Sequence, residues 1–172
     1  MGQPILELRN ICKAFPGVTA LSNVNFDVLG GEVHVLLGEN GAGKSTLIKI
    51  IAGSEKKDDG EFIFEQEAIE KYSPFLMREL GISVIHQELS LVRLMDVKSN
   101  LFLGRDLKNK NWLLSKLGIR DDAGMINRCK QVFSELGINL DPNKSVTELS
   151  LSQMQLVEIA KAVAFDSKVI LM

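Results

Sequence analysis

The feature of this sequence that most constrains its fold is a glycine-rich segment at residues 38–46, GENGAGKST. Residues 38–45 fit the pattern G-x-x-x-x-G-K-[ST], in which the backbone N–H groups of a loop surround a polyphosphate. The apolar run 33–37 precedes the segment, and a helix-like stretch over 44–52 follows it. A strand buried on both faces that leads through a tight loop into a helix is typical of a parallel α/β sheet.

The residue types of this phosphate loop suit a nucleoside triphosphate and its metal ion. Its three glycines permit positive φ angles and leave space for the ligand. Lys44 can reach the β and γ phosphates, and the Ser45 hydroxyl can bind Mg²⁺. The sequence therefore predicts ATP and Mg²⁺ as ligands, in a site formed by Gly38, Glu39, Asn40, Gly41, Ala42, Gly43, Lys44, Ser45 and Thr46.

The alternative interpretation of the segment is a glycine-rich turn that only joins a strand to a helix. The buried strand expected before it and the apolar helix residues at 47–51 favour the phosphate site instead. The dinucleotide-binding pattern G-x-G-x-x-G is excluded. Gly41 and Gly43 fit its first two glycines, but Lys-Ser-Thr follows them and the last glycine of the pattern is missing.

Two kinds of strand pattern occur in the chain. Apolar and polar residues alternate in three segments, at 6–9, 24–28 and 61–65. This period of two predicts an antiparallel sheet with one covered face. Continuous apolar runs predict strands of a parallel sheet, at 33–37, 82–85 and 169–172. We interpret His34, inside the first of these runs, as a structural residue in a buried strand.

Helical periodicity predicts three further helices. One covers 74–80 and stops at Gly81, and another starts at the cap residues 121–122 and stops at Gly137. The last begins at Ser150 or Ser152 and carries an apolar stripe made of Leu156, Ile159, Ala160 and Val163. The predicted fold class is therefore α/β, with a P-loop NTPase core and its parallel sheet, an N-terminal antiparallel β-subdomain and a helical subdomain.

Composition narrows the class of protein. Hydrophobic residues make up 45% and charged residues 24% of the chain, as in ordinary globular proteins. The net charge of −2 gives no reason to expect a nucleic-acid partner, and no apolar stretch approaches the ~20 residues of a membrane span. No signal-peptide pattern is present at the N-terminus. Cys12 and Cys129 form no metal-type pair, so we expect two reduced thiols in a cytoplasmic protein.

Three further segments accompany the phosphate loop: KAFPG at 13–17, IHQEL at 85–89 and ELSLSQMQ at 148–155. In this order and spacing they resemble the ABC-type ATPases, and the resemblance extends over the whole chain. GEVHVLLGENGAGKSTLIKIIAG at 31–53 and VEIAKA at 157–162 are similar to the ATP-binding subunits of bacterial simple-sugar importers. Those subunits carry two ATPase halves in one polypeptide, and this sequence resembles the N-terminal half.

The resemblance implies roles for residues outside the phosphate loop. Phe15 would stack on adenine, although an aromatic residue there could also simply cover the sheet. Gln87 would contact Mg²⁺ and the attacking water, and it is predicted as catalytic together with Lys44. His86, beside it, is not assigned a catalytic role. A signature segment would contact the ATP bound by the opposite subunit, through Leu149, Ser150, Leu151, Ser152 and Gln153. Leu151 and Ser152 replace two glycines of the commonest form of this signature.

The resemblance also implies an absence. The family places an aspartate for Mg²⁺ and a glutamate as general base after a strand such as 169–172, where this sequence ends. We therefore expect a fragment or a shortened chain that binds nucleotide with little or no turnover, because general-base catalysis contributes ~10²–10⁴-fold. Missing strands would leave apolar surface uncovered. The expected divisions are a β-subdomain with the core at 1–87, a helical subdomain at 88–165, and the start of the strand before these acids at 166–172.

The function implied by the resemblance is the energising module of an ABC importer of simple sugars. It would lie at the cytoplasmic face of the inner membrane without a span of its own. Its partners would be permease subunits and a second ATPase half, bound head to tail. The main alternative is a soluble ABC-type ATPase of translation or DNA repair, but no basic arm or zinc-binding insertion is present. The segments at 85–89 and 149–155 argue against a small-molecule kinase.

Overall fold

The computed structural model of the chain describes residues 2–85, 89–105, 107, 116 and 120–172. The chain divides into two compact units, Met1–Ser83 with Leu171, and Val84–Ile170 with Met172. In the described part of the chain, none of the helices combines the length and the apolar character that a membrane span requires.

An antiparallel sheet dominates the first unit. Its strands are β1 (Pro4–Phe15), β2 (Val18–Leu29), β3 (Asp59–Phe64) and β4 (Glu67–Ala68), in the order β2-β1-β3-β4. Between β1 and β3, Leu6 lies opposite Phe64 and Leu8 opposite Phe62. These four side chains are at most 2% exposed, so they form the covered face that the alternating pattern predicts.

Two helices belong to the same unit. α1 (Lys44–Ile51) buries Leu47, Ile50 and Ile51, a spacing that places them on one face. α2 (Pro74–Leu80) begins at Ser73, whose hydroxyl accepts a hydrogen bond from the N–H of Leu76 at 3.1 Å. It ends at Gly81, with φ +97°, so the predicted helix and its stop are confirmed. The short strands β5 (Ile82–Val84) and β6 (Val169–Leu171) form a second sheet.

The run 33–37, predicted as a buried strand, is neither buried nor a strand. Val33, Val35 and Leu37 are 94%, 66% and 84% exposed. A strand needs hydrogen-bonded neighbours, and in the part of the chain that the structure describes no strand pairs with this run. The prediction for His34 is wrong for the same reason: its side chain is 40% exposed and contacts Glu32 at 3.0 Å. The run thus leaves apolar surface uncovered.

Helices form the second unit. Among the described residues of this unit, the helices are α3 (Val97–Leu101), α4 (Asp122–Glu135) and α5 (Leu151–Val163), with a 3-10 turn at Val146–Glu148. Asp121 caps α4 by accepting a hydrogen bond from the N–H of Gly124 at 2.9 Å, as predicted. The core contains Val97, Leu101, Phe102, Met125, Cys129, Val132, Phe133, Val146, Leu149, Val157, Ala160 and Ala164.

The two cysteines agree with their sequence interpretation as free thiols. Cys129 lies in the core of the second unit, and burial raises its pKa to about 12. A thiol with this pKa stays protonated at neutral pH and is a poor nucleophile. Cys129 is therefore a packing residue of α4.

Candidate functional site

The phosphate loop leads directly into α1. Gly41 and Gly43 have φ angles of +89° and +84°, and Gly43 is the N-cap residue of the helix. The N–H of Ala42 donates to the carbonyl oxygen of Glu39 at 3.2 Å, which closes the loop on itself. Gly41 and Gly43 thus have the positive φ angles predicted for the three glycines of the loop, whereas Gly38 does not.

Lys44 folds back over the start of this loop. Its ammonium donates to the carbonyl oxygens of Gly38 and Glu39, at 2.6 and 2.7 Å. A positive charge is thus fixed beside the N-terminus of α1, where backbone N–H groups lack helical partners. Ser45 is exposed and Thr46 is half-buried in the first turn of the same helix.

This set of groups fits a polyphosphate with a hard cation. An ammonium and the N–H groups of a first helical turn are donors suited to phosphate oxygens, and the Ser45 hydroxyl is an oxygen ligand of the kind Mg²⁺ prefers. A side chain at Gly38 would lie 3.4 Å from Cβ of Ala42 and 3.7 Å from Cδ of Lys44. A Cβ at Gly38 would therefore be in ordinary van der Waals contact with Ala42 and Lys44.

Phe15 lies at the end of β1 and is 41% exposed. Opposite it across the hairpin is Val18, and the turn between them contains Gly17 with φ +81°. The Lys13 ammonium lies 5.3 Å from the centre of the Phe15 ring, within the range of a cation–π contact. The ring thus combines partial exposure with a fixed position at the tip of a hairpin.

Lys13 is the centre of an ionic cluster next to Phe15. Hydrogen bonds to Glu55 and then to Asp58 raise the pKa of Lys13. The N–H of Ala14, and after it the Lys13 ammonium, lower the pKa of Asp58, and the bond from Lys13 lowers the pKa of Glu55. All three side chains are therefore charged near neutral pH.

The signature segment forms the start of α5. Ser150 is its N-cap: its hydroxyl accepts from the N–H of Gln153 at 3.3 Å, and the Gln153 side chain accepts from the N–H of Ser150 at 3.0 Å. The Ser152 hydroxyl lies 3.0 Å from that of Ser150, so both hydroxyls meet at the helix terminus. Leu149 is buried and Leu151 is 64% exposed. Of the two predicted caps, Ser150 is confirmed.

The structure brings two groups of the predicted site residues together, and other predicted residues lie outside its described part. The loop residues 38–46 are contiguous around Lys44, and residues 149–153 are brought together at one helix end. Gln87 and the neighbouring His86 lie outside the described residues.

A buried carboxylate on α5 was missed by the sequence reasoning. Glu158 is 7% exposed, and its Oε1 accepts from the N–H and the hydroxyl of Ser90, at 2.7 and 2.8 Å. The Lys161 ammonium donates to the same hydroxyl at 3.3 Å. The predicted stripe is wrong in part, since Leu156 and Ile159 are 39% and 37% exposed. The helix instead turns Val157, Glu158 and Ala160 inward, and its hydrogen bonds with Ser90 offset the cost of burying the Glu158 carboxylate.

Removing this carboxylate should destabilise the second unit. We expect Glu158→Ala to lower the free energy of unfolding by about 1–3 kcal/mol, because the two polar groups of Ser90 lose their partner. Urea denaturation of Glu158→Ala, Ser90→Ala and the double variant measures the coupling between them. Glu135→Ala, at an exposed site on α4, is the matched control. Additive effects of the two substitutions would contradict the contact.

The sequence is similar to proteins of a known family. The family model described as ABC transporter matches residues 21–172. The galactose/methyl galactoside import ATP-binding protein of Haemophilus influenzae is 46% identical over 171 residues, covering 99% of this chain and 32% of the relative. The ribose import ATP-binding protein of Rubrobacter xylanophilus is 44% identical over 170 residues, covering 99% and 33%. The chain thus spans about one third of the length of these relatives.

Solved structures show the same fold. An ATP-binding cassette of an ABC transporter in its ADP conformation superposes with a TM-score of 0.81 at 32% identity, covering 98% of this chain and 67% of that one. A nucleotide-free cassette has a TM-score of 0.79 at 32% identity, covering 98% and 68%. The α/β fold of P-loop NTPase type, with its parallel and antiparallel sheets and its helical part, is confirmed. On the family match and these identities, the chain belongs to the ABC transporter family.

Proposed function

We propose that this chain is the ATP-binding module of a bacterial importer of simple sugars, at the cytoplasmic face of the inner membrane. The observation that carries the proposal is the phosphate loop. Lys44, the first residue of α1, donates hydrogen bonds from its ammonium to the carbonyl oxygens of Gly38 and Glu39. The names of relatives 44–46% identical, which are ribose and galactose import proteins, support the class of substrate.

In the proposed site, residues 38–46 surround the phosphates of ATP. The ammonium of Lys44 exchanges its two carbonyl partners for phosphate oxygens, and the first turn of α1 adds backbone N–H donors. Phe15 stacks on adenine, and Ser45 and Gln87 are the proposed ligands of Mg²⁺. The ion, when bound, neutralises charge on the phosphate oxygens.

The signature at the start of α5 is proposed to serve a second ATPase half. Its two hydroxyls and the N-terminus of α5 would face a phosphate bound by that half, in a head-to-tail pair. The segment after Gln87 would transmit closure to permease subunits. Residues 1–172 are assigned ATP binding with little or no turnover, and hydrolysis is assigned to the full-length protein. The divisions at 1–87, 88–165 and 166–172 remain a prediction.

Two measurements test this function. Calorimetric titration of the 172-residue chain with ATP, with and without Mg²⁺, should show saturable binding, and an absence of binding would overturn the proposal. The full-length protein should co-purify with its permease subunits and give no gel shift with RNA. An RNA complex without a permease partner would instead identify a soluble ATPase of translation or repair.

A further inference from the structure

On the side of β1 that pairs with β3, the end of the strand is held by residues that lie outside β3. The last residue of β1 to pair with β3 is Cys12, opposite Asp59. Beyond this pair, Asp58 makes the hydrogen bonds that a residue of β3 would otherwise make with β1. Its N–H donates to the carbonyl oxygen of Cys12 at 2.9 Å, and its Oδ2 accepts from the N–H of Ala14 at 2.7 Å. On its β3 side the strand that ends in Phe15 is thus fixed by one carboxylate, while β2 pairs with its other side as far as Phe15.

Lys13 completes this attachment with three oxygen partners. Its ammonium donates to Asp58 at 3.0 Å, to Glu55 at 2.8 Å and to the carbonyl oxygen of Lys56 at 2.8 Å. The side chain is 11% exposed, so water competes weakly for these bonds. All three partners belong to the short connection between α1 and β3.

That connection is itself bonded to the end of α1. The N–H groups of Ser54 and Glu55 both donate to the carbonyl oxygen of Lys49, at 3.0 and 3.1 Å. The contacts therefore form a continuous path, which runs from α1 through Glu55 to Lys13 and the end of β1. At one end of this path is the helix that follows the phosphate loop, and at the other is the ring of Phe15.

We propose that Lys13 is a positioning residue that fixes the base-stacking ring of Phe15 relative to α1 and its phosphate loop. The inference rests on the proposed function, since it takes Phe15 as the adenine contact. The ribose joins the base of a nucleotide to its phosphates and limits the distance between them, so a site that binds both gains affinity when its two contacts are held at a matching distance. Lys13 acts on Phe15 both through this path and through the cation–π contact at 5.3 Å.

The proposal separates base binding from phosphate binding. Loss of Lys13 loosens the attachment of the hairpin tip to the connection between α1 and β3, but leaves the contacts of Lys44 with the loop in place. Nucleotides should lose the part of their affinity that comes from the base, whereas inorganic tripolyphosphate should not. A purely structural role of Lys13 would weaken both ligands together.

The experiment is a titration of the 172-residue chain with ATP and with tripolyphosphate, both with Mg²⁺. We expect Lys13→Met to raise the Kd for ATP about five- to tenfold, a part of the stacking contribution of one base, and to leave tripolyphosphate within about twofold. Lys13→Arg should restore most of the ATP affinity. Asp58→Asn, which keeps an oxygen for Ala14, should shift ATP binding in the same direction by less.

Controls make the outcomes distinct. Arg9→Met removes an exposed ion pair from the same strand and should change neither affinity. Phe15→Leu should reproduce the selective loss of ATP affinity. If Lys13→Met weakens both ligands equally, or neither, the positioning role is overturned while the proposed function stands. If the unaltered chain binds neither ligand, the proposed function fails and the inference fails with it.

Discussion

Replacement of Lys44 by alanine is expected to weaken ATP binding by about 100-fold, because hydrogen bonds from a charged donor contribute ~1.5–3 kcal/mol each. The ammonium lies within 2.7 Å of two loop carbonyl oxygens, so it is already placed where the loop begins. Tripolyphosphate should lose affinity by a similar factor, since the proposed function assigns Lys44 to the phosphates and not to the base. Calorimetric titration with each ligand measures both losses.

The matched control for this substitution lies on the same helix. Lys49 is exposed near the end of α1, and its side chain is not part of the loop. Lys49→Ala should leave both affinities unchanged, which separates the effect of one positioned charge from that of net charge. Unchanged affinity for ATP in Lys44→Ala, with the circular dichroism spectrum preserved, would remove the phosphate loop as the binding site.

Local patterns in the sequence predicted local structure well. The helix Pro74–Leu80 with its stop at Gly81, the cap at Asp121 and the cap at Ser150 all depend on residues within four positions of one another. The antiparallel sheet was predicted from alternation alone, because one covered face requires a period of two. These features involve short-range geometry that a single sequence displays directly.

The run 33–37 shows where such prediction fails. An apolar run indicates a preference for burial, but it does not say which neighbours are available to cover it. In the structure the run lies outside both sheets that the described residues form, and Val33 is 94% exposed. The burial of Glu158 could not be predicted for a related reason, because its partner Ser90 is 68 residues away in the sequence.

In the candidate site, too, residues that are neighbours in the sequence could be predicted and residues far apart in it could not. The phosphate loop and the signature are contiguous in sequence, so their residues could be named before the fold was known. The path through Lys13 could not, because Glu55 and Asp58 are 42 and 45 positions away and carry no motif. Long-range ion pairs depend on the register of the sheet, which the alternation of residues leaves undetermined.

The second large effect is expected at Gly43, the N-cap of α1. An alanine there would place its Cβ 2.5 Å from the carbonyl oxygen of Ala20 and 2.7 Å from Cδ2 of Leu21, at a φ of +84°. The clash is with the backbone of β2, so α1 must move away from the strand. We expect Gly43→Ala to lower the free energy of unfolding by about 3–5 kcal/mol, at the upper end of single substitutions, and to abolish ATP binding.

Gly41→Ala separates the clash from backbone strain. Gly41 has a φ of +89°, but a Cβ there would meet no atom within 4 Å. Its cost should be that of the left-handed conformation alone, about 1–2 kcal/mol. Thermal and urea denaturation of the two variants measures the difference. Equal losses would mean that φ alone requires glycine in the loop, whereas a larger loss at Gly43 means that the close packing of α1 on β2 also requires it.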